Sequence, residues 1–118
     1  MKSFAVVLLL LLAPAMIRAG EFPVADLVII EKDARQLHLL RSGEIFRTFE
    51  IALGIRPVGD KKREGDFKTP EGRYILDRRN PNSDFFLSIG ISYPNAEDRR
   101  EAAALGVSPG GAIMIHGQ

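Results

Sequence analysis

Two histidines, His38 and His116, are the side chains in this sequence suited to moving protons near neutral pH, and they stand 78 positions apart. His116 follows the apolar run Ala112-Ile113-Met114-Ile115 and precedes Gly117. That places it at the tip of a strand expected to be buried, beside a residue that lets another backbone approach closely. The position suits a general base, and it equally suits a hydrogen-bonded structural histidine; spacing alone leaves both readings open. His38 lies between Leu37 and Leu39 in an alternating run and reads as a solvent-facing strand residue. Two histidines this far apart would need several carboxylates from unrelated loops to hold a metal, and no such cluster is visible, so neither a metal nor a cofactor is expected. The chain has no cysteine, which excludes a disulfide framework, thiolate metal sites and a cysteine nucleophile within these residues.

The weaker candidates are quickly placed. Ser92-Tyr93 stand just before a predicted helix, where they could border a cleft near His116; the plainer reading of Tyr93 is a half-buried packing residue. Arg99-Arg100 read as the solvated face of that helix. The segment from Gly54 to Gly65 lacks the glycine spacing of a phosphate-cradling loop and opens no helix.

The elements that must position these residues are mainly β. From Leu27 on, the apolar pattern has period two, interrupted by turn residues. Strands are predicted at Leu27–Glu31, Gln36–Leu40 and Ile45–Leu53, forming a meander. Gly54–Lys68 reads as an exposed loop that ends sharply at the turn Thr69-Pro70-Glu71-Gly72. Arg73–Leu76 is then a predicted strand, Asp77–Asp84 a polar loop, Phe85–Tyr93 a strand and Ala112–Ile115 an apolar strand that belongs inside a sheet. One helix is expected, Ala96–Leu105, with Asn95 as N-cap, Glu97 and Asp98 in its first turn and Gly106 closing it. An apolar strand at the end of the sequence leads to the further expectation that the 118-residue product alone is aggregation-prone.

Composition sets the outer limits. With 118 residues, 46% hydrophobic and 26% charged, one packed domain is the most the chain can hold. The formal charge of +1 owes two cations to Lys2 and Arg18, and residues 20–118 carry 14 basic and 15 acidic side chains. A near-neutral body offers no basic stripe for nucleic acid. The first 19 residues read as an export signal: Lys2, an apolar run from Phe4 to Met16 containing Leu8–Leu12, and a cut after Ala19. The run is short for a membrane span, and the alternative to cleavage is an uncleaved anchor. The expected organisation is a signal peptide at 1–19 and a domain at 25–118, exported to the periplasm or cell envelope with no stable membrane span after cleavage.

Several segments together resemble the L,D-transpeptidase (YkuD-type) catalytic domain, in its murein-transpeptidase, YafK-like branch. They are the strand pair Leu27–Gly43, Ile51-Ala52-Leu53-Gly54 with Pro57-Val58-Gly59, Glu64-Gly65-Asp66, Thr69-Pro70-Glu71-Gly72-Arg73-Tyr74 and Asn80-Pro81-Asn82-Ser83. Ile91-Ser92-Tyr93-Pro94-Asn95-Ala96-Glu97-Asp98 follows, and then Gly106-Val107-Ser108-Pro109-Gly110-Gly111 leads into Ile113-Met114-Ile115-His116-Gly117. The resemblance covers nearly all of the body. It implies a mainly β, YkuD-like β-sandwich with one short helix, incomplete at the C-terminus, and it implies peptidoglycan stem peptides as partners, with an envelope lipoprotein as one acceptor.

It also implies a reaction. In such enzymes a cysteine thiolate attacks a stem tetrapeptide at its diaminopimelate carbonyl, expels D-alanine and passes the acyl group to an amine, with a histidine as general base and backbone N–H groups holding the oxyanion. The family's motif histidine maps onto His116, with Ser92, Tyr93 and Gly117 as the candidate substrate-binding residues. The nucleophile belongs to a Ser/Thr-x-Gly-Cys segment downstream of that histidine, which these 118 residues do not include. As written, the chain is therefore expected to be inactive and to be a fragment of a longer reading frame, with a natural pseudoenzyme second. A non-catalytic envelope module that binds stem peptides, and an amide-hydrolysing member of the family, are the alternatives.

Overall fold

A computed structural model describes residues 23–80, 82 and 87–117. The predicted signal peptide, Pro81, and Ser83–Phe86 lie outside the described residues. The element order is β1 (Leu27–Glu31), β2 (Gln36–Arg41), β3 (Glu44–Glu50), β4 (Leu76–Asn80), β5 (Ser88–Ile91), α1 (Ala96–Leu105) and β6 (Met114–His116). The strands form two three-stranded sheets, ordered β1-β2-β3 and β4-β5-β6. The chain is thus mainly β with one short helix, as expected.

The chain divides into two units, the first made of the described residues up to Ile29 with His38–Thr48, the second of Ile30–Leu37 with the described residues from Phe49 on. In the first sheet the central strand β2 is the most buried. Leu37 and His38 point to opposite faces and both are buried, so β2 is covered on both sides. His38, expected to face solvent, is only 9% exposed, and its Nδ1 lies 2.8 Å from Thr48 Oγ1. The expectation failed because it assumed a strand with one wet face, whereas Leu37 and His38, on opposite faces of β2, are both buried.

Between β3 and β4 the chain has no regular element, yet it is tightly built around Asp66. That carboxylate accepts from Lys61 Nζ at 2.9 Å and from the backbone N–H groups of Lys62, Arg63 and Lys68 at 2.8–3.1 Å. Desolvation pushes the Asp66 carboxyl up, but the donors from Lys62, Lys61, Arg63 and Lys68 outweigh it and hold the group well below the ordinary carboxylate range. Lys61 is itself buried, its ammonium shared between Asp66 and the Arg63 carbonyl. The Thr69–Gly72 turn is fastened by Lys32, whose ammonium donates to the carbonyls of Gly59 and Thr69 and pairs with Glu71.

The second sheet departs from the sequence reading at two strands. The predicted strand Arg73–Leu76 contributes only Leu76, and β4 runs instead through Asp77-Arg78-Arg79, read above as polar loop. All five β4 residues are exposed and β4 is an outer strand among the described residues, where charged side chains cost nothing and mask the strand pattern. β6 likewise pairs only with β5 among the described residues, and it is an outer strand with Met114 and His116 exposed rather than a strand inside the sheet. It begins two residues later than predicted because Ala112 holds a positive φ of 55°, which ladder pairing does not accept.

The helix matches its prediction at both ends. Asn95 and Asp98 form a reciprocal capping box, and Gly106 closes α1 in the left-handed conformation.

Candidate active site

The site is assembled on the β5–β6 ladder. The two strands are antiparallel, pairing Ser88 with His116, Ile89 with Ile115 and Gly90 with Met114. Ile91 N–H extends the ladder by donating to Ile113 O at 3.0 Å, and Gly117 N–H continues it at the other end to Leu87 O at 3.3 Å. His116 and Ser88, directly opposed, project from the same face. The imidazole is exposed, while Ser88 is 1% exposed and its hydroxyl has no hydrogen-bond partner among the described residues.

The His116 ring is oriented by its neighbour. Nδ1 lies 2.8 Å from the Gly117 carbonyl oxygen. A carbonyl can only accept, so in the neutral ring Nδ1 carries the proton and Nε2 carries the basic lone pair. A neutral imidazole held in one tautomer, exposed at a strand tip, is equipped to take a proton from an acid brought to Nε2.

Ser92 and Tyr93 follow the other end of β5. Ser92 lies four residues from Ser88, about 13 Å away along an extended chain. The structure thus brings Gly117 to His116 but places Ser92 and Tyr93 at the far end of the same ladder. Ser92 clasps Ile75 from both sides, donating its N–H to Ile75 O at 2.9 Å and accepting from Ile75 N–H through Oγ at 2.8 Å.

Tyr93 is 4% exposed, and its hydroxyl donates to Pro109 O at 2.7 Å. Its ring meets Tyr74 edge-on at 6.0 Å, and Tyr74 donates to the Asp98 carboxylate at 2.9 Å. Desolvation, reinforced by Asp98 and other nearby carboxylates, pushes Tyr93 up to about 12, and Tyr74 is raised further by desolvation and its bond to Asp98. The Tyr93–Pro109 bond and the peptide N–H of Glu64, which donates to Ser108 O at 2.8 Å, hold the Ser108–Gly111 loop from two directions. Sequence reasoning missed this tie; the only signal was a tyrosine beside a proline-glycine loop far along the chain.

Residues 25–118 match the family model described as the YkuD L,D-transpeptidase catalytic domain. This chain belongs to that family. The curated proteins named "Putative L,D-transpeptidase YafK" in Escherichia coli strain K12 and in Escherichia coli O157:H7 are each 36% identical to it over 94 residues, covering 75% of this chain and 36% of each relative. The chain therefore spans little more than a third of the length of the curated relatives it matches. No solved structure matches it. Among the described residues, no helix is long and apolar enough to cross a membrane, and no group of His, Asp and Glu is placed to hold a metal ion.

Proposed function

We propose that this chain provides the base-bearing part of a peptidoglycan L,D-transpeptidase, with His116 as general base. The observation that carries the reading is the His116–Gly117 pair. Within the stretch matched to the family, the ring is held with Nδ1–H on a carbonyl and Nε2 as its basic nitrogen. In the reaction so assigned, Nε2 takes the proton of a cysteine thiol, and the thiolate adds to the diaminopimelate carbonyl of a stem tetrapeptide. The tetrahedral intermediate collapses to a thioester as D-alanine leaves with the proton returned from the imidazolium. An acceptor amine, such as that of another stem or an envelope lipoprotein, then adds to the thioester, giving its proton to Nε2 and releasing the thiolate. The thiol is supplied from outside these 118 residues, which contain no cysteine.

Gly117 lies at the reacting end of the site, and Ser92 and Tyr93 border its far end. Export to the periplasm or cell envelope through the Phe4–Met16 segment completes the reading, since that is where such stems are found.

The experiment supplies a stem tetrapeptide to the protein extended through the family's Ser/Thr-x-Gly-Cys segment and follows D-alanine release. Transfer to an added amine supports the transpeptidase assignment. Release without transfer identifies an amide hydrolase, and binding without release identifies a stem-peptide-binding module; either contradicts it.

A further inference from the structure

We propose that Tyr93 is a positioning residue for His116: by holding the Pro109 carbonyl, its hydroxyl fixes the register in which β6 lies on β5. The inference rests on the reading of His116 as the base and adds what places that base.

β6 has three residues and pairs with one strand among the described residues, with one further hydrogen bond at each end, so its register rests on a short ladder. A slip of one residue would turn every β6 side chain to the opposite face, carrying His116 away from the position opposite Ser88. The segment leading into β6 does not resist such a slip by itself. It contains Gly110 with φ of 78°, Gly111 and Ala112 with φ of 55°, a bent connection through which the position of the anchored loop is passed to the ladder.

The fastening of that segment therefore works with the short ladder in setting register. Two ties do this, Tyr93 Oη to Pro109 O at 2.7 Å and Glu64 N to Ser108 O at 2.8 Å. The first is made by a side chain that follows β5 itself, so the strand carrying Ser88 also holds the loop that delivers His116. Burial of the ring against Tyr74 gives the hydroxyl one place to point. Glu64 backs the loop sterically as well, since a Cβ on Gly110 would meet Glu64 Cα at 3.2 Å.

The test reads the imidazoles directly in the full chain labelled with ¹⁵N-histidine. The sequence has two histidines, and His38, hydrogen-bonded to Thr48, serves as an internal reference. In Tyr93→Phe, the His116 signals are expected to double or move away from the Nδ1–H tautomer pattern while those of His38 keep their positions. In Tyr74→Phe, which leaves the Pro109 tie intact, both histidines should remain as in the wild type. If Tyr93→Phe does not fold, Gly110→Ala is read by the same rule, because its Cβ displaces the same loop from the Glu64 side. Unchanged His116 signals in a folded Tyr93→Phe, or in Gly110→Ala where that variant decides, overturn the proposal. No activity is measured, so such a result leaves the assignment of His116 as base to be judged separately.

Discussion

His116 and Gly117 are adjacent in sequence and bonded through space, with Nδ1 2.8 Å from the Gly117 carbonyl oxygen. The backbone of the next residue thus does for this ring what a buried carboxylate does in many catalytic sites: it selects a tautomer. The neutral form should show a protonated Nδ1 and an unprotonated Nε2 in ¹⁵N spectra. A dominant Nε2–H tautomer would contradict the orientation.

His38 is held by the Thr48 side chain. Thr48→Val removes the hydroxyl that meets His38 Nδ1 and should lower stability by about 1 kcal/mol, measured by urea unfolding. No loss would mean that the contact contributes nothing net.

Asp66 gives the long loop an acid-sensitive centre. Its folded-state carboxyl titrates below the unfolded value of 3.8, so its contribution is fully present above that pH and is lost as pH falls from there toward the folded value. Asp66→Asn should cost on the order of 3 kcal/mol near neutrality, since buried Lys61 loses its anion, and should flatten the fall in stability below pH 4. Equal acid sensitivity in wild type and variant would contradict this.

The two tyrosines predict the alkaline limb. Tyr93 is raised to about 12 and Tyr74 lies above its ordinary 10, so neither should ionise near pH 10 in the folded chain. The contribution of these raised values is complete below the unfolded value of 10 and is lost as pH rises through the folded ones. Absorbance titration at 295 nm checks this, and a phenolate step at pH 10 with the fold intact would refute it.

Much of this was legible in the sequence. The helix announced itself at both ends, since Asn95, Asp98 and Gly106 each satisfy a backbone need that few other residues meet. β1 followed from a short apolar run and β2 from alternation. β4 did not, because Asp77, Arg78 and Arg79 occupy an outer strand with wet faces, where burial imposes no apolar pattern. His38 was misread for the opposite reason, a central strand with no wet face. At the proposed site, the place of His116 after an apolar run left a base and a structural histidine both open, and the Tyr93–Pro109 tie links residues sixteen apart through a tertiary contact that no local pattern encodes.

The central claim, that His116 is the base of an acyl transfer, is tested most directly by thiol acylation in the protein extended through the family's cysteine segment. Wild type and His116→Ala are exposed to a carbapenem or a stem tetrapeptide, and the mass shift is followed in time and normalised to the folded fraction. The account predicts a folded His116→Ala that acylates about two to four orders of magnitude more slowly. Wild-type acylation rates in the folded variant would contradict it.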